Sequence, residues 1–313
     1  MAVSEFVSFR DRLVGACAKA IVGKEKEITL VTVCYLCGGH ILLEDVPGTG
    51  KTMLFRAFSK ACGGSFKRIQ FTPDVMPSDV TGIHFYNMKT GDFEFRPGPV
   101  FVDLVLADEI NRATPRTQSS LLEAMAERQV SVDGETRKLG DTFMVAATQN
   151  PIESYGTFPL PEAQMDRFMM RLKLGYMQRA EEIGVALRRD TGNIIEWIEP
   201  VVSTEETLQL REQLDTIEIS EPVIGYILDI IEKTRNDVRF HIGASPRGTI
   251  ALVKASRAYA AFQGRAFVTP DDVKFLAPYV LAHRLHYRTA VGSGESEALF
   301  LEMLETIPVP TEA

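Results

Sequence analysis

Cysteine is scarce: four occur in 313 residues, at Cys17, Cys34, Cys37 and Cys62. They show no paired framework, which excludes a disulfide-stapled secreted scaffold and fits a reducing compartment. Long apolar runs are missing as well. The longest mostly apolar stretch, Leu30 to Cys37, falls far short of the ~20 residues that span a bilayer, so no transmembrane helix is expected. The amino terminus carries Glu5, Arg10 and Asp11 where a signal peptide would need an apolar core. A cytoplasmic location is the expectation. Positive charge is not in excess: the formal net charge is -8, which argues against a dedicated nucleic-acid binder that needs clustered Lys and Arg. Internal repeats and low-complexity segments are lacking too. What remains is a chain with 45% hydrophobic and 24% charged residues, enough to bury a core without staples and long enough for two domains.

Residues 1–175 alternate helical patterns with short apolar runs. The clearest runs are His40–Leu43, Val102–Ala107 and Thr142–Ala147. Runs of this length that end in polar or Gly-rich turns read as buried parallel strands of an α/β core. Two hairpins interrupt it. Ile83–Met88 and Phe93–Phe95 flank one turn, and Gln129–Val132 and Thr136–Leu139 flank Asp133-Gly134. Residues 176–215 read as a connection, with Gly192 and Pro200 as breakers. Residues 216–313 read as a small all-helical domain. Ile224, Ile227, Leu228 and Ile231 recur at helical spacing. Ser203 with Glu206 makes a capping box, and Thr269-Pro270-Asp271-Asp272 opens another helix, with the stripe Val273, Leu276, Ala277, Val280 and Leu281. Thr306–Ala313, with two prolines, reads as a frayed tail.

The strand at His40–Glu44 runs into Asp45-Val46-Pro47-Gly48-Thr49-Gly50-Lys51-Thr52-Met53. A P-loop needs small residues so that backbone N–H groups can turn inward around phosphate oxygens. Lys51 then reaches the β- and γ-phosphates of ATP, and the Thr52 hydroxyl ligates Mg²⁺ at the start of a helix. Asp45 departs from the consensus, which has Gly there. A second strand ends in Asp108-Glu109. Asp108 suits the metal's oxygen shell, and Glu109 suits a base for the attacking water. A third strand ends in Gln149-Asn150-Pro151, where Asn150 is either a phosphate-sensing amide or part of an Asn-Pro turn. Arg167 and Arg247 are either surface arginines or further cations for phosphoryl transfer. Other pairs carry less. Cys34 and Cys37 lack a second ligand pair for zinc and read as core. His283 and His286, three apart on one expected helix, lack a third ligand and read as surface or packed positions.

Taken together, these residues resemble the MoxR family of AAA+ ATPases. The resemblance covers nearly the whole chain. Its most specific pieces are Ile21-Val22-Gly23, the P-loop, and the run from Arg68 through Gln70, Pro73 and Pro77 to Gly82. Asp108 to Ala113, Ala147 to Pro151, Leu160 to Gln164 and Ser245-Pro246-Arg247 complete the set. The resemblance implies an AAA+ core plus a helical lid. It implies that Val22 and Gly23 pack near adenine, that Asn150 is sensor 1, and that Arg247 is sensor 2. It implies that Arg167 is the arginine finger given to a neighbouring subunit, and that both hairpins face a central pore. Family members are typically homo-oligomeric, hexameric rings that remodel, mature or activate protein clients. They commonly work with a partner carrying a von Willebrand factor A-type domain. A nucleic-acid motor or loader of the same superfamily is the alternative, disfavoured by the acidic balance. A nucleotide-gated scaffold without hydrolysis is disfavoured by an intact Glu109.

Overall fold

The structure is a computed structural model and describes residues 3–46, 48–150, 156–187, 194–288 and 293–310. Of the residues singled out above, Pro47, Pro151, Gly192 and the end of the tail, 311–313, lie outside the described residues. Nine strands build the larger part. They are β1 (Ile41–Glu44), β2 (Phe66–Gln70), β3 (Gly82–Asn87), β4 (Asp92–Pro97) and β5 (Leu104–Asp108), followed by β6 (Gln129–Val132), β7 (Glu135–Lys138), β8 (Met144–Gln149) and β9 (Met170–Leu172). Five of them form one sheet in the order β2-β5-β8-β1-β9, parallel throughout. The other four make the two expected hairpins, β3–β4 and β6–β7.

The three apolar runs are β1, β5 and β8, each displaced one or two residues toward its carboxyl end. Ladder bonds do not require apolar side chains, so pairing continues into Glu44, Asp108 and Gln149 at the rim. Strand β2 was not legible as a run. It is an edge strand that buries Ile69 and exposes Lys67 and Arg68. Alternation divides the sheet between two cores. Ile41, Leu43, Leu104 and Leu106 face one side, under the helices Val3–Ala18, Glu25–Leu36 and Lys51–Ala61. Leu42, Val105 and Ala107 face the other, under Pro115–Glu127.

The first core continues into the helices Glu221–Asn236, Pro246–Phe262, Pro270–Leu281 and Ser293–Glu305. Thr269 caps the expected helix and closes a capping box with Asp272, and all five residues of the stripe after it are buried. Of the capping box expected at Ser203, one half is made: Ser203 caps its helix by accepting from Glu206 N, while the Glu206 carboxylate pairs with Arg12. That helix, Thr204–Gln213, folds back on the core, where Arg211 donates to the Tyr35 and Leu36 carbonyls. Three expectations need correction. In Glu221–Asn236 the buried face is Val223, Tyr226, Ile227, Ile230 and Ile231, while Ile224 and Leu228 are exposed. A band of apolar residues wider than the buried stripe hid the true face from periodicity. The tail is not frayed throughout, because Ile307 packs into the core after Thr306 N bonds Met303 O. Finally, His283 and His286 do not share a helix. His283 lies in the middle of the 3₁₀ turn Ala282–Arg284, and His286 begins a strand.

Candidate nucleotide site

Because β1, β5 and β8 are parallel neighbours, their carboxyl ends meet at one rim. The loop after β1 turns through Gly48 (φ 84°) and Gly50 (φ 89°), both in the left-handed region where a Cβ is penalised. The space a Gly48 Cβ would enter is open, so backbone can approach a ligand there. The helix Lys51–Ala61 begins directly after Gly50 and directs its free amides at the loop. Lys51 Nζ donates to the carbonyls of Asp45 (3.1 Å) and Val46 (3.0 Å), inside the cradle. Ile21-Val22-Gly23 lies alongside: a Gly50 Cβ would sit 3.7 Å from Ile21 Cδ1. Gly23 (φ 70°) abuts the carboxylate of Glu181, which a Cβ would overlap.

Asp45, the departure from the consensus, has a structural use. Its buried carboxylate accepts from Val46 N (2.8 Å), Leu174 N (2.9 Å) and Gly175 N (2.8 Å). It ties the start of the loop to the chain leaving β9.

The second strand end is a network of side chains. Thr148 Oγ1 donates to Asp108 Oδ1 (2.7 Å) and accepts from Glu109 N (2.8 Å). Arg68 donates from Nε (3.0 Å) and Nη2 (2.6 Å) to Asp108 Oδ2. Its Nη2 also meets Gln70 Oε1 (2.5 Å), while Gln70 Nε2 donates to Glu109 Oε2 (3.0 Å). Arg112 donates to the same Glu109 oxygen at 3.1 Å. Glu109 itself sits at φ 58°, ψ 49°. A non-glycine residue held there costs about 1–3 kcal/mol, and such positions cluster at functional sites. Arg68, Gln70, Thr148 and Asp45 carried no role in the sequence reading. The one available signal was a hydroxyl at the end of an otherwise apolar strand, Thr148. Arg68 and Gln70 belong to a run quoted for the resemblance, but their partners follow only from the register of β2 with β5, which sets Gln70 beside Asp108.

A cavity of about 490 Å³ joins the two parts. Gly48, Gly50, Lys51, Thr52 and Met53 line one wall, and Asp108, Glu109 and Asn150 line another. Thr49 is buried beneath the loop. The donor set fits a nucleotide with a hard cation. The open loop and lysine suit phosphates, and the Thr52 hydroxyl and Asp108 carboxylate are the oxygen ligands Mg²⁺ favours. Arg167 and Arg247 are not brought to this cavity. Arg167 is half-buried and donates from Nη1 to the Leu122 carbonyl (2.5 Å). Arg247 is exposed at the first turn of Pro246–Phe262. Cys34 is buried in the core and Cys37 ends its helix. His283 is buried as well, and burial holds its imidazole well below the usual histidine range.

Residues 40–170 match the family described as ATPase family associated with various cellular activities (AAA), and residues 232–302 match the AAA lid domain. YeaC of Bacillus subtilis, named an uncharacterized protein, is 48% identical over 94% of this chain and 92% of its own. Chaperone MoxR1 of Mycobacterium tuberculosis is 37% identical over 96% of this chain and 82% of its own. The crystal structure of a proposed ATPase from Cytophaga hutchinsonii superposes with a TM-score of 0.89 at 35% identity, covering 98% of both chains. An α/β core with parallel strands, a helical lid, a P-loop beside an Asp-Glu strand end, and these likenesses lead to one conclusion: the chain belongs to the MoxR family of AAA+ ATPases.

Proposed function

We propose that this ATPase works with Mg²⁺ in a homo-oligomeric, hexameric ring and uses hydrolysis to remodel, mature or activate a protein client. One observation carries the hydrolytic part: a single cavity gathers Lys51, Thr52, Asp108, Glu109 and Asn150 from the ends of three adjacent parallel strands. Lys51 and the loop amides hold the β- and γ-phosphates. Thr52 and Asp108 would hold the metal, which when bound would supply neutralising charge at the phosphates. Glu109 takes the proton of the attacking water, and its hydrogen bond from Gln70 fixes the carboxylate's orientation. Asn150 orients the water or the γ-phosphate. Val22 and Gly23 flank the base. Arg247 reads the γ-phosphate when the lid closes, and Arg167 serves the neighbouring subunit. The name of the relative Chaperone MoxR1 supports a protein client. A partner with a von Willebrand factor A-type domain, a cytoplasmic location and a division into core (1–175), connection (176–215) and lid (216–313) belong to the same reading.

The test mixes two inactive variants, Arg167→Ala and Lys51→Ala, in a phosphate-release assay. Phosphoryl transfer gains ~10³–10⁵ in rate from an added guanidinium at the γ-phosphate. Each variant alone is expected to be inactive, and the mixture to recover part of the activity where an intact loop faces an intact finger. Absence of recovery in confirmed mixed assemblies, or a fully active Arg167→Ala, refutes the trans role.

A further inference from the structure

The segment bearing Arg167 is held by the lid of its own chain. Arg284, with a side chain only 3% exposed, pairs with the Asp166 carboxylate. It also donates to the backbone carbonyls of Asp166 (2.8 Å) and Phe168 (2.7 Å), one on each side of Arg167. His283 Nε2 lies 2.9 Å from the same Phe168 carbonyl. As a neutral imidazole, His283 donates there. A second link lies one turn earlier, where His286 Nδ1 meets Glu162 Oε1 at 3.1 Å.

The Asp166 carboxylate has another partner. Ser245 Oγ donates to it at 3.0 and 3.1 Å, and accepts from Arg247 N at 3.1 Å. Ser245 is the N-cap of the helix Pro246–Phe262. One carboxylate therefore connects three things: the backbone that presents Arg167, the buried lid cation Arg284, and the first turn that presents Arg247.

We propose that Asp166 is a positioning residue that couples the lid of a subunit to the arginine it offers its neighbour. This deepens the ring reading and rests on Arg167 and Arg247 having the roles given above. A lid that shifts when nucleotide is held by its own core moves Ser245 and Arg284, and Asp166 transmits that shift to the backbone on either side of Arg167. Each subunit's occupancy thus sets the geometry of the next subunit's site. The coupling is carried by several bonds anchored on the buried Arg284 guanidinium, so it is stiff. A surface ion pair in their place would be screened and worth little.

The experiment compares the parent with Asp166→Asn and Ser245→Ala, all in a Glu109→Gln background. Amide hydrogen exchange is followed across residues 162–170, with and without ATP. The parent is expected to change exchange there on binding ATP, and both variants to lose most of that change while still binding ATP. In the hydrolysing background, kcat should fall about 10-fold, the scale of a typical coupling energy, with KM within about 2-fold of the parent. Ser245→Ala leaves the buried ion pair intact, so it reports even where Asp166→Asn does not fold. An ATP-insensitive segment in the parent, or variants that respond as the parent does, overturns the coupling. A fully active Arg167→Ala would instead remove the finger reading, and leaves the exchange result to be judged by itself.

Discussion

At the rim of the sheet, polar side chains are tied to one another; on the first hairpin, apolar side chains stand in water. Asp108, Glu109, Thr148, Arg68 and Gln70 form a connected set at the rim. Each of these five is fixed by another. On β3–β4 and the turn between them, Met88 is 89% exposed and Phe93 72% exposed, with Tyr86 packed edge-on to Phe93. The second hairpin braces the first from beneath. Asp133 pairs with His84 at 2.8 Å, and the Arg137 guanidinium lies 4.1 Å from the Phe95 ring centre. The rim is built for placing charge, where small displacements cost rate. On the proposed reading the hairpin serves contact without fixed geometry, since exposed apolar groups framed by polar ones favour partner binding. The same sheet supports both, yet the rim network and the hairpin contacts share no side chain among the described residues.

The strongest way to break that comparison is at its most chemical residue. Glu109→Gln keeps the size and the strained backbone but removes the base. Turnover is expected to fall ~10²–10⁴-fold, with ATP binding retained in a direct titration. Equal turnover by parent and variant would show that the rim network is not where the water is activated.

A smaller effect is expected at Asp45. Asp45→Ala leaves the Val46, Leu174 and Gly175 amides without their acceptor. A buried donor stranded in this way costs about 1–3 kcal/mol, so thermal unfolding should come at lower temperature and ATP affinity should weaken. A variant as stable and as tight as the parent would mean that the loop is held by its glycines and Lys51 alone.

The smallest effect on nucleotide chemistry is expected at the hairpin tip. Removing Lys89-Thr90-Gly91 shortens the turn between β3 and β4, and none of the three lines the cavity. ATP affinity and basal turnover should stay within about 2-fold, since sites without shared partners act independently. A large loss of affinity would join the hairpin to the rim and end the comparison.

Local chemistry was legible in the sequence because it is local. A P-loop needs consecutive small residues and a lysine at one place in the chain, so Gly48 to Thr52 could be read without knowing the fold. Asp108-Glu109 needed only a strand end before it, and the Asp133-Gly134 turn declares itself by positive φ at both residues. The helical lid was legible from caps and periodicity, although its Glu221–Asn236 face was not. Tertiary structure decided the rest. Thr148 reaches Asp108 across 40 positions, Arg68 reaches it across 40 in the other direction, and Asp45 reaches Leu174 across 129. Arg284 closes on Asp166 across 118. Such pairs obey strand register and the docking of the lid, which no short window of residues contains. Parallel strands are joined through crossovers, so residues that share a rim are far apart in the chain. For that reason the sequence pointed to the groups proposed to touch phosphate and metal, while only the folded chain showed which side chains hold those groups in place.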